Sequence, residues 1–261
     1  RYEASDKYYL SSNFETILAN LISKNDESAY KRIIEFNIDN LYKTYHQNLF
    51  CNIHRWIKQA TQKNVWADFN LYSKVILKGT YPIHPITVWM LSSLSSWMQQ
   101  RSSLTFVEEL FKSISDNEVF PNKLSYVYPV EIIDSKVFHE LLIAEEKGIQ
   151  QSQYCILYKD ILTKYGDKLS DDEKRILQGI LIINIGKFAI SNKEDVNTAL
   201  KYCTGISEEK VSAYIKTLEE EFGIIQYDQT TKRYDFTTEG NGLNDFKREF
   251  IRKRIRIITE D

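Results

Sequence analysis

Residues 170–236 carry helix and turn signals in a fixed order. Ser170 and Glu173 have the spacing of a capping box, in which each side chain binds the other residue's backbone N–H. Gly223 has the position of a helix-ending glycine, and the residues after it have hairpin composition. The predicted elements are helices over residues 170–190, 193–202 and 207–222, the last capped by Ser207, and strands over residues 224–227 and 233–236. This order of helix, helix, turn, helix and hairpin is typical of a winged helix-turn-helix.

The remainder of the chain is predicted to be helical. Nine glycines and four prolines are few for 261 residues, which argues against a large β-sandwich or a glycine-rich cofactor fold. Apolar residues recur at helical intervals through the first 78 residues, where Ser12 and Glu15 form a second capping-box spacing. A further helix is predicted from about Asp134, which would cap it, to Glu146. The expected fold class is mainly α, a helical bundle followed by a winged helix-turn-helix with a small β-hairpin.

Breaks in these patterns divide the sequence into four regions. They are an N-terminal helical region (1–78), a second helical region (79–168), the winged helix-turn-helix (169–240) and a basic amphipathic C-terminal helix (241–261).

Charge, cysteine content and hydropathy say little about a partner. Thirty-four Lys and Arg against 36 Asp and Glu give a net charge of −2, which argues against non-specific coating of DNA. The three cysteines, Cys51, Cys155 and Cys203, are far apart, so a reducing compartment without a disulfide framework is expected. No apolar run reaches the roughly twenty residues of a spanning helix. The chain begins at Arg1 without a signal peptide, and we expect a cytoplasmic segment of a longer protein with no membrane association.

The segment from Gly79 to Thr87 reads Gly-Thr-Tyr-Pro-Ile-His-Pro-Ile-Thr, and its two prolines favour an extended approach to a new helix. His84 lies between these prolines, and Arg101 follows the same helix. Two interpretations remain open. One is a rigid helix start with a surface arginine. The other is an arginine supplied to an anionic group on a neighbouring domain, as the lid domains of nucleoside-triphosphatases do.

This Tyr-Pro-Ile-His-Pro segment, followed by an apolar helix and by Gln-Gln-Arg-Ser before a Phe-rich helix, resembles a region of large bacterial antiphage-defence ATPases. The phage-exclusion (BREX) type is the nearest in pattern, over about residues 79–240. The resemblance implies a lid followed by a winged helix, with His84 and Arg101 as nucleotide-sensing candidates. It also implies that ATP and magnesium bind a P-loop core in the same polypeptide but outside this chain, which has no P-loop motif. Other defence-system proteins would be partners.

Nucleic-acid contact has two candidate regions. The third helix of residues 170–236 holds five glutamates against two lysines, a net charge of −3 that DNA phosphates would repel. The wing offers Lys232 and Arg233. The tail is the more basic candidate, with Lys247, Arg248, Arg252, Lys253, Arg254 and Arg256.

The expected function is a non-catalytic lid and interaction fragment of an antiphage-defence P-loop ATPase. Such a fragment would sense nucleotide state and relay it to a protein or nucleic-acid partner. The alternatives are a winged-helix DNA-binding regulator and a protein–protein adaptor with no ATPase context. Association with copies of itself is left open, and no catalytic residue is predicted. His46, Cys51 and His54 could suggest a metal site, but they lack a second ligand pair and are predicted to be structural.

Overall fold

The computed structural model describes residues 14–20, 22, 35–94, 102–114 and 125–237. These residues fall into two compact units. Unit 1 is formed by the chain up to Gln151 together with Gly186–Ala189, and unit 2 by Ser152–Ile185 and the residues from Ile190 onward. The described chain is mainly helical and contains a small antiparallel sheet of two strands, which confirms the mainly α class. No helix among the described residues combines the length and apolar character needed to span a bilayer.

Unit 1 consists of helices joined by short connections. The predicted helix ending at Gly79 is present, although its last turns are π-helical. A helical segment over residues 14–20 comes first. The later elements are a π-helical turn Asn37–Leu41, α1 Lys43–Trp56, a 3-10 turn Lys58–Gln62, α2 Asn64–Ala67, α3 Phe69–Leu71 continuing into the π-helical turns Tyr72–Lys78, α4 Pro85–Ser93, α5 Ser102–Ile114, a 3-10 turn Pro129–Ile132 and α6 Lys136–Glu146.

A buried carboxylate joins the first helix of unit 1 to α2. The Glu15 side chain is 3% exposed, and its Oε1 accepts hydrogen bonds from Trp66 Nε1 (2.9 Å) and Lys63 Nζ (3.2 Å). A buried carboxylate needs such donors, because without them its desolvation would cost several kcal/mol. Glu15 therefore stabilises tertiary structure, whereas the sequence predicted a capping role; its predicted partner Ser12 lies outside the described residues.

The cap of α6 differs from the prediction. Ser135, and not Asp134, is the residue at the cap, with its Oγ accepting from the Val137 backbone N–H at 3.2 Å. The reason is geometric, since the extended backbone of Ser135 directly precedes the first helical residue, Lys136.

Unit 2 keeps the predicted order of elements. They are α7 Tyr154–Tyr165, a 3-10 turn Gly166–Lys168, α8 Asp171–Ile185, α9 Lys193–Thr204, α10 Glu208–Lys216 continuing into π-helical turns Thr217–Phe222, β1 Ile225–Asp228 and β2 Arg233–Phe236. The capping box is confirmed, because Ser170 N donates to Glu173 Oε2 (2.7 Å) and Glu173 N donates to Ser170 Oγ (3.3 Å). Gly223 ends the third helix with a φ of 60°, as predicted.

Three details of unit 2 differ from the sequence prediction. α8 stops at Ile185 rather than Ile190, because the chain turns at Lys187, whose φ is 52°. Ser207 lies at the start of α10 but makes no capping bond with its side chain. The first strand is shifted by one residue, and β1 pairs antiparallel with β2 in the register Ile225 to Phe236 and Asp228 to Arg233.

A glycine allows α8 and α9 to pack closely. A Cβ on Gly179 would lie 2.7 Å from Leu200 Cδ2 and 2.8 Å from Thr204 Cγ2. Thr204 is fixed in place, since its Oγ1 donates to the Leu200 carbonyl (2.7 Å) and accepts from Ile206 N (3.1 Å). The contact therefore has little room to relax.

We expect Gly179→Ala to lower the free energy of unfolding of unit 2 by about 1–3 kcal/mol, because the methyl group overpacks this contact. At an uncrowded helical site the same change is normally stabilising. Urea unfolding followed by far-UV circular dichroism measures the effect.

Gly166→Ala is the matched control. Gly166 lies in the same unit, has helical dihedral angles, and has no atom within 4 Å of an added Cβ. Equal stability changes in the two variants would contradict the packing argument.

Candidate functional site

The His-Pro motif forms the start of α4. His84 is the residue at the cap, and its ring Nδ1 accepts a hydrogen bond from the Ile86 backbone N–H at 3.2 Å. Pro85 occupies the first helical position, where a missing N–H has no cost. The predicted helix start at the two prolines is therefore present, and the peptide bond between Tyr81 and Pro82 is cis.

A second segment runs parallel to this motif. Val127 pairs with Ile83 in an isolated bridge, and the backbone N–H of His84 donates to the Val127 carbonyl at 3.0 Å. Val127 N donates in turn to the Pro82 carbonyl at 2.9 Å, and Thr87 Oγ1 donates to the Val127 carbonyl at 2.9 Å. These hydrogen bonds hold the residues that lead into α4 and the first turn of α4 against the segment that contains Val127.

Tyrosines enclose the His84 ring. Tyr128 stacks on it at 5.3 Å between centroids, and Tyr126 meets it edge-on at 5.2 Å. Tyr45 Oη lies 3.2 Å from Nε2. Because Nδ1 already accepts a hydrogen bond, a neutral ring carries its proton on Nε2, and Nε2–H donates to Tyr45 Oη.

A second histidine extends the cluster. His46 Nε2 lies 2.7 Å from Tyr126 Oη; the His46 side chain is buried and that of Tyr126 is half-buried. Burial lowers the pKa of His46 to about 4, an effect that the Ile38 carbonyl and Asp39 partly offset. Burial, together with the proximity of His46, lowers the pKa of His84 to about 3. Both rings are therefore neutral at physiological pH. We call His46, His84, Tyr45, Tyr126 and Tyr128 the His-Tyr cluster.

The His-Tyr cluster is suited to supporting the start of α4 and not to contacting a ligand directly. His84 has no exposed surface, so a direct contact with a bound nucleotide would require the core of unit 1 to open. The second sensing candidate, Arg101, lies outside the described residues. The two residues after it are anchored. Ser102 Oγ donates to the Glu140 carboxylate (2.7 Å), and Ser103 Oγ donates to the Leu91 carbonyl near the end of α4 (3.2 Å).

A cavity of about 180 Å³ lies beside Ser102, between α5 and the start of α6. Glu109 and Glu140 line it, and the cation at this place, Lys136, is already paired with Glu109. Two carboxylates disfavour an anionic ligand, so this cavity is unsuited to binding phosphate.

The wing residues are described, and the basic tail is not. Lys232 is exposed in the hairpin loop with a φ of 57°, and Arg233 begins β2 with a buried Nε that has no hydrogen-bond partner. The tail candidates lie outside the described residues; they are Lys247, Arg248, Arg252, Lys253, Arg254 and Arg256.

Ion pairs within unit 2 already use several of its cations. Lys193 pairs with Glu219 (3.4 Å) and lies over the rings of Tyr227 and Tyr234, at 5.0 and 5.5 Å from their centroids. Lys201 pairs with Glu208 at 3.2 Å. Lys210 and Lys216 are the cations of the third helix itself, and both are exposed beside its glutamates.

The residues that suggest a metal site in the sequence all lie on α1, and the two histidines have other partners. His46 binds Tyr126 as described above, His54 Nε2 contacts the Trp66 carbonyl at 2.6 Å, and Cys51 is exposed. Among the described residues no group of three or more metal-ligating side chains forms. Cys155 and Cys203 are buried, and burial raises the pKa of Cys203.

Comparison with protein-family models, with curated proteins and with solved structures finds no match to this chain.

The sequence pattern indicated His84 but not the side chains that contact it. The tyrosines of the His-Tyr cluster come from α1 and from the segment before Pro129, 39 and more residues from His84 along the chain. A signal was present, because Tyr126 and Tyr128 alternate with Val127 in a strand-like pattern just before a proline.

Acid should weaken unit 1 through the His-Tyr cluster. Each unfolded histidine has a pKa near 6.5, so between about pH 6.5 and 4 the unfolded chain binds protons that the folded chain does not. The contribution of these two histidines to stability is therefore constant above about pH 6.5 and falls as pH drops below it, by up to about 2 kcal/mol per histidine at pH 5. Urea unfolding at pH 7.5 and 5.0 measures this loss. Tryptophan fluorescence reports unit 1, which contains all four tryptophans.

The variant His84→Asn separates the contribution of His84 to the acid-induced destabilisation from that of His46. It should lose roughly half of the acid-induced destabilisation, whereas the control His139→Gln, at an exposed histidine of unit 1, should retain all of it. An unchanged pH dependence in His84→Asn would show that His84 is not the responsible group.

The contribution of the His84 cap to stability can be measured separately from that of its ring packing. His84→Ala should lower the free energy of unfolding of unit 1 by about 2–4 kcal/mol, through loss of the cap and of ring packing. His84→Asn should recover about 1 kcal/mol of this, since an asparagine oxygen accepts from the N–H two residues on. Equal losses in both variants, measured by urea unfolding at pH 7.5, would contradict the capping role.

Proposed function

We propose that this chain is the non-catalytic lid and interaction part of a P-loop ATPase of bacterial antiphage defence. ATP and magnesium would bind a core elsewhere in the same polypeptide. Arg101 would contact the bound triphosphate, and His84 would position the helix that leads to it. A change in nucleotide state would then be relayed by rigid-body motion to a protein partner.

The observation that carries this proposal is that hydrogen bonds hold α4 at its start and near its end. The His84 end of the helix is held by the Ile86 N–H, which donates to the ring, and by the bonds that His84 donates to the Val127 carbonyl and to Tyr45 Oη. Ser103 ties the start of α5 to the other end, at Leu91. Arg101 directly precedes Ser102 in the sequence, and an arginine held on a rigid support would stabilise a developing phosphate charge.

We further propose that residues 169–240 form a winged helix-turn-helix, as the order of α8, α9, α10 and the hairpin favours. In this arrangement α10 would be the recognition helix. With its π-helical continuation to Phe222 it exposes Glu209, Glu220 and Glu221, and residues 208–222 together carry a net charge of −3. A protein partner is therefore favoured over the major groove of DNA, because phosphates would repel this surface.

The ATPase context is tested in the complete polypeptide from which this chain comes. Arg101→Ala should lower the steady-state rate of ATP hydrolysis by about tenfold or more, since a phosphate-facing arginine acts mainly on the transition state. Arg101→Lys should recover only part of the rate, because lysine lacks the bidentate geometry.

Arg55→Ala is the matched control, an arginine of unit 1 that lies exposed on α1. Its ATPase rate should equal that of the unaltered protein. An unchanged rate in Arg101→Ala, or a complete polypeptide without ATP hydrolysis, would contradict the proposal.

A further inference from the structure

The connection between α8 and α9 contains a deeply buried aromatic residue. Gly186–Ala189 belong to unit 1, although the residues on both sides of them belong to unit 2. Within these four residues Phe188 has no exposed surface, and it is one of the largest fully buried side chains among the described residues. Short connections normally run over the surface of a protein. A fully buried phenylalanine in such a connection therefore indicates an anchor.

The end of α1 holds this anchor. The Phe188 ring stacks on the Trp56 ring, with 6.2 Å between the centroids and 13° between the planes. The Ala189 backbone N–H donates to the Trp56 carbonyl at 2.8 Å. Trp56 is the last residue of α1, where backbone carbonyls have no partner within the helix. The connection therefore satisfies the end of α1 and also packs against it. We call Trp56, Phe188 and Ala189 the Trp-Phe anchor.

The start of α1 belongs to the His-Tyr cluster. Tyr45 accepts the hydrogen bond from His84 Nε2 at 3.2 Å, and His84 is the cap of α4. Trp56 follows Tyr45 by eleven residues, which corresponds to about 16 Å along the helix axis. One helix therefore contacts the start of α4 near one end and forms the Trp-Phe anchor at the other.

The helix between these two ends is continuous and well packed. α1 runs without interruption from Lys43 to Trp56, and Leu49 and Ile53 have no exposed surface. Close-packed protein interiors have low compressibility and transmit strain. A displacement at Tyr45 is therefore carried along the helix to Trp56.

We propose that α1 couples the start of α4 to the connection between α8 and α9. The Tyr45–His84 hydrogen bond is the contact at one end, and the Trp-Phe anchor is the contact at the other. A change at α4 would shift α1, and Phe188 and Ala189 would carry the shift into the chain that forms α8 and α9. This coupling gives the route by which the proposed lid relays nucleotide state, and as such a route it rests on the proposed function. The coupled contacts themselves lie within unit 1 and need no nucleotide.

Hydrogen exchange of backbone amides in the 261-residue chain, followed by NMR, measures the coupling. Tyr45→Phe removes only the hydroxyl that contacts His84. The Ala189 N–H should then exchange about threefold faster or more, because the far end of α1 is held less firmly. The Lys147 N–H, which donates to the Ile143 carbonyl at the end of α6, should keep its rate. An unchanged Ala189 rate, or equal acceleration at Lys147 from global destabilisation, would overturn the proposal.

Tyr81→Phe is the matched control. It removes a tyrosine hydroxyl from the same unit, close to the same helix start, but that hydroxyl accepts from the Ser125 N–H at 3.2 Å. The Tyr45–His84 hydrogen bond is kept, so the Ala189 rate should equal that of the unaltered chain. Equal acceleration of Ala189 in Tyr81→Phe and Tyr45→Phe would contradict a route through α1.

Coupling between two sites acts in both directions, which supplies a second test. Phe188→Leu keeps an apolar side chain but removes the aromatic stack on Trp56. The Ile86 N–H, which donates to His84 Nδ1, should then exchange about threefold faster or more. Phe106→Leu, at a buried phenylalanine of α5, should leave the Ile86 rate unchanged. An unaltered Ile86 rate in Phe188→Leu would show that Phe188 only fills space, and would overturn the proposal.

Failure of this proposal is distinguishable from failure of the proposed function. Both exchange experiments are made without nucleotide. If Arg101→Ala leaves ATP hydrolysis unchanged while Tyr45→Phe accelerates exchange at Ala189, the ATPase proposal fails and the coupling stands. If the Ala189 rate does not respond, the coupling fails, whatever the ATPase rate of Arg101→Ala.

Discussion

The burial of a neutral histidine at the start of α4 is the constraint on which the organisation of unit 1 depends. One ring nitrogen of His84 caps α4 by accepting from the Ile86 N–H, and the other contacts Tyr45 Oη. Each ring nitrogen therefore has a defined role. A charged ring would lose the cap, because Nδ1 would then carry a proton opposite the Ile86 N–H. Burial lowers the pKa of His84 to about 3 and keeps the ring in the state that this geometry requires.

The His-Tyr cluster links distant parts of the chain to this one position. α1 supplies Tyr45 and His46, and the segment before the second 3-10 turn supplies Tyr126 and Tyr128. His46 takes part through one ring nitrogen, Nε2, which contacts Tyr126 Oη.

The elements with strong local signals were predicted closely. The Ser170 and Glu173 capping box, the left-handed Gly223 and the helix start at Pro85 depend on interactions within four residues, which sequence spacing reveals directly. Predictions failed where a nearby residue offered an equivalent local solution, as at Ser135 beside Asp134. The buried role of Glu15 was missed because its donors, Lys63 and Trp66, lie 48 and 51 residues away.

By itself the sequence determined the mainly helical class, the order of elements in unit 2 and the His-Pro start of α4. Each of these follows from backbone preferences and side-chain spacing along a few turns of chain. The tertiary structure alone decided that His84 is enclosed and not displayed, that His46 and Tyr126 meet beside it, and that Glu15 is buried against Lys63 and Trp66. These properties depend on which distant side chains meet, and on how much water they exclude, and neither quantity is written in local spacing.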